Sequence, residues 1–210
     1  MPVPFVRDGI LKEELWRAKV RQVLSERFAE PMAHIIAKRG LSPNTLTVTG
    51  GLLGIGAGAL IGLGHVKTGG LLVLAGGVLD LLDGAVARVS GKTTPFGALL
   101  DSTIDRISEA AILFGLLVLY LGRQSTQEVI LIYATLVGSV LVSYVRARAE
   151  AVGLKGDVGL LTRGERVIIL GLGLLLNQTL ALLWILAPLT YITVGQRLLY
   201  ARQQSKKGQA

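Results

Sequence analysis

Long apolar runs alternate with short polar breaks along this chain. Apolar residues dominate near 45–64, 69–89, 97–121, 127–147, 158–176 and 179–199, and each run is close to the roughly 20 residues that a helix needs to cross a bilayer. Ahead of them the pattern changes. Between 9 and 39, Ile10, Leu11, Leu15, Ala18, Val20, Val23, Leu24 and Phe28 are interleaved with Lys12, Glu13, Arg17, Lys19, Arg21 and Glu26. That spacing predicts an amphipathic helix lying on the membrane surface. Pro31 should break or restart it, Gly40 can end the second piece, and Ser42 with Pro43 opens the first span. The expected architecture is an all-α integral membrane protein, with six transmembrane helices after an N-terminal amphipathic juxtamembrane helix. It divides into an amphipathic segment (1–42), a six-helix membrane domain (43–203) and a disordered basic tail (204–210).

In the first run Gly50, Gly54, Gly58 and Gly62 recur every four residues. Such a bare stripe lets helix backbones approach closely, and packing within the chain is favoured over a dimer seam. Composition agrees with the membrane reading: 51% of residues are hydrophobic, 17% are charged and 27 are Gly. The first 40 residues are charged and lack the apolar core of a cleavable signal peptide.

Charge sets the orientation. Of the 22 Lys and Arg residues, only Lys67 and Arg123 fall away from the side that holds both termini, the 89–97 turn and the 148–164 loop. Basic loops stay in the cytoplasm, so the reading is a multi-pass cell-membrane protein with both termini cytoplasmic. The net charge of +8 is then a topology signal and an attraction to anionic lipids, with no call for nucleic acid. His34 reads as solvated or interfacial. With no Cys and two His, the composition argues against a zinc or redox-metal site.

Polar chemistry concentrates in one stretch, DLLDGAVARVSGKTTPFGALLDSTID, running from Asp80 to Asp105. A carboxylate at the centre of a spanning helix costs roughly 2.5–3.5 kcal/mol on insertion scales, so four would cost on the order of 10–14 kcal/mol unless compensated. Spacings of three and four residues bring Asp80 and Asp83 onto one helix face, and Asp101 and Asp105 onto another. Two facing pairs make an oxygen cage suited to a hard divalent cation, Mg2+ or alternatively Mn2+. The orientation puts these aspartates at the cytoplasmic ends of the second and third spans, with the site facing the cytoplasm.

Asp80, Asp83, Gly84, Ala87, Arg88, Gly97, Asp101 and Asp105 fill the pattern D-x2-D-G-x2-A-R-x8-G-x3-D-x3-D. It resembles the signature of the CDP-alcohol phosphotransferases, membrane enzymes of phospholipid synthesis. The resemblance implies six transmembrane helices, a homodimer, and transfer of a substituted phosphate from a CDP-alcohol to a hydroxyl with release of CMP. It further implies that Asp80, Asp83, Asp101 and Asp105 hold two divalent cations per subunit, and that Asp105 is the general base. Donor contacts would come from Pro43, Asn44, Thr45, Gly84, Ala87, Arg88 and Thr94. Plainer roles exist for some of these: Ser42 and Asn44 as helix caps, Gly84 in helix packing.

The segment SYVRARAEAVGLKGDVGLLTRGERVIIL, from Ser143 to Leu170, is similar to that of phosphatidylinositol-phosphate and archaetidylinositol-phosphate synthases within this family. Their resemblance makes CDP-diacylglycerol the donor and inositol 1-phosphate the acceptor, its phosphate held by Ser143, Arg146, Arg166 and Arg197. The plain reading of these arginines is topology plus pairing to Glu150 and Glu165. Arg148 and Arg163 are expected to be topology or salt-bridge residues. The closest alternative acceptor is glycerol 3-phosphate. Intramembrane prenyltransferases lack the Gly84, Ala87 and Arg88 element, and a cation transporter would place its carboxylates near the midplane.

Overall fold

Proline and glycine punctuate the helices of the computed structural model, which describes Arg27, residues 29–156 and residues 158–207. Among these residues lie α1 (Glu30–Lys38), α2 (Pro43–Gly62), α3 (Val66–Val89), α4 (Pro95–Gly122), α5 (Thr126–Ala151), α6 (Arg163–Leu175) and α7 (Thr179–Lys207), and no strand. Pro31 stands in the first turn of α1, where its missing N–H costs nothing. Gly40, at φ +78°, ends that helix, since the left-handed region suits glycine. The rest of the amphipathic segment expected over 9–39 lies outside the described residues. Ser42 Oγ accepts a hydrogen bond from Thr45 N at 3.2 Å and so caps α2.

Four helices, α2, α3, α5 and α7, are long and apolar enough to cross a membrane. α4 has 28 residues but carries Asp101, Asp105, Arg106 and Glu109. The fifth expected span, 158–176, is altered in the structure. Its helix starts only at Arg163 and has 13 residues, about 20 Å at the usual rise per residue. The preceding residues 158–162 are buried or half-buried without being helical, and side chains of α7 satisfy their backbone. Gln196 Oε1 accepts from Leu160 N at 2.9 Å, Thr193 Oγ1 accepts from Leu161 N at 3.1 Å, and Arg197 Nε donates to Val158 O at 2.8 Å. The disordered tail expected from 204 also needs correction as far as Lys207, which is helical. Gln204 holds that end by bonds to Lys155 N at 3.0 Å and Lys155 O at 2.9 Å.

The chain forms two compact units, the described part of Met1–Gly50 with Val78–Ile104, and Gly51–Gly77 with Asp105–Ala210. In the first, Ala29 and Ala33 pack with Leu46 of α2 and Leu82, Ala85 and Val86 of α3. The second is built around Ile61, Leu113, Leu116, Ile132, Leu174 and Leu183, with α7 packed against α5 and α6. Its glycine stripe meets α4: a Cβ at Gly54 would reach 2.6 Å from Ser108 Cβ, and one at Gly58 would collide with the Ala111 carbonyl. The stripe is therefore an intramolecular seam between α2 and α4. Gly58→Val should lower stability by about 1–3 kcal/mol through overpacking, read as thermal unfolding in detergent. Gly56→Ala, at a position with nothing within 4 Å, should leave it unchanged.

Candidate active site

The last turns of α3 place Asp80, Asp83, Gly84 and Ala87 on one face, as their three- and four-residue spacing requires. Asp83 is 6% exposed, and the Thr47 hydroxyl of α2 donates to its Oδ2 at 2.6 Å. This bond compensates a buried carboxylate that has no room for a shell of water. Asp80 and Asp101 each offer a carboxylate oxygen within 4.8 Å of the other. α4 runs on unbroken from Asp101 to Asp105, one turn later on the same face. Two ionised carboxylates so close repel each other, and a hard cation between them turns repulsion into binding. The donors are all oxygens, so the set fits Mg2+ or Mn2+.

Beside this pair, Thr94 Oγ1 accepts from Gly97 N at 3.0 Å and caps the start of α4. A Cβ on Gly97 would stand 3.0 Å from that oxygen and 3.3 Å from Asn44 Oδ1. Glycine here is what lets Asn44 and Thr94 share one corner of the first unit. Thr45 is exposed, with its hydroxyl 2.8 Å from that of Ser42, and the Pro43 carbonyl lies 3.1 Å from Thr47 Oγ1, the longer arm of a proton shared with Asp83. Around Gly84 a Cβ would meet only Arg88 Nη1, at 3.4 Å. Gly84 itself is half-buried. Ala87 is half-buried and Arg88 exposed.

In the second unit, Arg163 Nη2 lies 2.6 Å from Asp105 Oδ1, with side chains 26% and 9% exposed. One turn further along both helices, Arg166 Nε and Nη2 donate to the two oxygens of Glu109 at 2.6 and 2.8 Å. Arg166 is only 2% exposed, so this is a buried fork-on-carboxylate pair. Its partner, Glu109, is neither of the two glutamates, Glu150 and Glu165, offered for the arginines in the plain reading. Glu165 instead accepts from Thr162 N at 2.8 Å at the start of α6. Arg197 is buried and donates to the carbonyls of Val158 and Val142, the latter next to half-buried Ser143. Arg146 is exposed and pairs with Glu150 at 2.8 Å. Thus Arg197 reaches the turn of Ser143, while Arg146 and Arg166 each hold a carboxylate of their own.

Sequence reasoning missed Glu109 and Thr47 and set Arg163 aside as a topology or salt-bridge residue. The signal for Glu109 was present: a further acid four residues beyond Asp105 in an apolar run. Its cost at mid-bilayer demands a cation. For Thr47 no signal existed, because a hydroxyl in a spanning helix usually bonds its own backbone.

The sequence model of the CDP-alcohol phosphatidyltransferase family matches residues 41–195. The chain belongs to that family. Among its relatives, the archaetidylinositol phosphate synthase of Pyrococcus horikoshii is 39% identical, over 91% of this chain and 97% of that protein. The phosphatidylinositol phosphate synthase of Mycobacteroides abscessus is 36% identical, over 82% of each. The crystal structure of Mycobacterium tuberculosis phosphatidylinositol phosphate synthase with CDP-DAG bound superposes with a TM-score of 0.76 at 36% identity. That match covers 83% of this chain and 94% of the other. The same enzyme in complex with manganese and citrate gives 0.75. As a CDP-alcohol phosphatidyltransferase the protein is an enzyme, which removes the prenyltransferase and transporter readings.

Membership leaves the buried pair to be tested as structure. Arg166→Met should destabilise the protein by about 3–5 kcal/mol, because it strands Glu109 in an apolar site. Glu109→Met combined with Arg166→Met should recover most of that loss, measured by unfolding in detergent.

Proposed function

We propose that the protein transfers a phosphatidyl group from CDP-diacylglycerol to inositol 1-phosphate, giving phosphatidylinositol phosphate and CMP. It would work as a homodimer of six-span subunits, in the cell membrane, with both termini and the reacting centre on the cytoplasmic side. The observation that carries this reading is the complete eight-residue signature between Asp80 and Asp105, with the Asp80 and Asp101 oxygens drawn within 4.8 Å. The names of the two relatives given above, an archaetidylinositol phosphate synthase and a phosphatidylinositol phosphate synthase, favour inositol 1-phosphate over glycerol 3-phosphate.

On this reading Asp80, Asp83, Asp101 and Asp105 hold two divalent cations, Mg2+ in the first instance with Mn2+ as substitute. Bound there, the ions would neutralise charge developing on the departing CMP. Asp105 takes the proton of the attacking hydroxyl. Asn44, Thr45 and Thr94 orient the nucleotide together with Pro43, while Gly84 and Ala87 leave it room and Arg88 faces its phosphates. Ser143, Arg146, Arg166 and Arg197 receive the acceptor phosphate. Arg146 is best supported in that role, since its exposed pair with Glu150 is worth only about 0.3–0.5 kcal/mol and is readily exchanged. A guanidinium carries about five N–H donors, so Arg166 keeps donors beyond the two that Glu109 engages.

Purified protein in detergent, supplied with CDP-diacylglycerol, Mg2+ and labelled acceptors, should label lipid from inositol 1-phosphate. Labelling from glycerol 3-phosphate alone would overturn the acceptor. Chelation should stop turnover, and Mg2+ or Mn2+ should restore it. Asp105→Asn should cut CMP release by about 10²–10⁴-fold with donor binding kept; unchanged turnover would sink its role as base.

A further inference from the structure

We propose that Arg163 is the resident counter-cation of Asp105, and that a divalent cation must displace it before the carboxylate serves in catalysis. The inference rests on the metal assignment proposed above. Arg163 Nη2 stands 2.6 Å from Asp105 Oδ1, well inside the 4.0 Å that separates Arg106 Nη1 from Oδ2, and that carboxylate is only 9% exposed. A carboxylate so covered requires a positive partner. A guanidinium and a divalent ion on the same carboxylate repel each other, so occupancy by one disfavours the other.

The first turn of α6 is built so that Arg163 can leave without the helix coming apart. Thr162 N donates to Glu165 Oε2 at 2.8 Å, and the Thr162 hydroxyl bonds the same oxygen, so the turn is capped by its own residues. Three residues on, Arg166 is held by Glu109 through bonds of 2.6 and 2.8 Å. That pair keeps α6 docked on α4 whether or not Arg163 is engaged. Arg163 is also the more accessible of the two arginines, with a side chain 26% exposed against 2% for Arg166. The buried Arg166 pair is an anchor, and the Arg163 pair is a latch on the carboxylate.

The test is Mn2+ binding to the purified full chain in detergent, without lipid substrate, read by electron paramagnetic resonance of free Mn2+. Arg163→Gln should tighten Mn2+ binding about tenfold, inside the range of roughly 5–150-fold for coupled sites. Arg148→Gln removes the same charge from an exposed position and should change it by less than about twofold, because screening weakens distant charges. Should Arg163→Gln fail to fold, Arg163→Lys carries the test. It keeps the charge with a shorter reach and should tighten binding by a smaller factor. Binding unchanged or weakened in the foldable variant overturns the latch. Equal tightening by Arg148→Gln overturns it as well, by reducing the effect to net charge. If neither wild type nor variant binds Mn2+, the metal assignment fails, and the latch with it; that outcome is distinct from equal binding by both, which removes only the latch.

Discussion

A carboxylate carried into an apolar helix must meet a compensating group, and in this protein the arrangement of α3, α4 and α6 follows from that demand. Each acid finds a different answer. Asp83 accepts a hydrogen bond from the Thr47 hydroxyl. Asp105 takes a guanidinium from Arg163, and Glu109 takes a two-pronged one from Arg166. Asp80 and Asp101 bring their oxygens toward each other, an arrangement that favours a shared cation. Along α4 the acids answered by arginine, Asp105 and Glu109, come one and two turns after Asp101, whose oxygen approaches Asp80 of α3. A gradient runs along one helix face, from residues suited to a reagent toward residues that fix the fold.

That gradient separates two tasks that the sequence motif blends. On the proposed reading the stretch from Asp80 to Asp105 serves the reaction at the diphosphate, while the segment from Ser143 to Arg197 binds the alcohol that accepts the phosphatidyl group. The second task rests on unusual scaffolding. Residues 158–161 give up helical hydrogen bonds and take them from Thr193, Gln196 and Arg197 instead. These bonds fix the place where α6 begins, and α6 presents both Arg163 and Arg166 from its first turn.

Hydrophobic periodicity made most of the helices legible, because spans of apolar residues bounded by Gly and Pro have few other ways to satisfy a backbone in lipid. The carboxylate motif was legible for a related reason: charges in such a span have no bland use. What pattern could not reveal were partners supplied from a distance in sequence. Val158 to Leu161 look helical by composition and are not, since side chains some thirty-five residues away compete for their backbone. Arg166 was read as a residue for the acceptor phosphate, and its guanidinium is engaged by Glu109 of another helix. Arg163 looked like a topology residue or a salt bridge, and the carboxylate it pairs with is the proposed base.

The central claim is that the converging aspartates are a metal cage. Its most direct test is an anomalous difference map from crystals of the protein soaked in Mn2+ with a CDP-activated lipid. The account predicts a strong peak between the carboxylates of Asp80 and Asp101. A map with no peak there, or with Mn2+ only at carboxylates outside the motif, would contradict it.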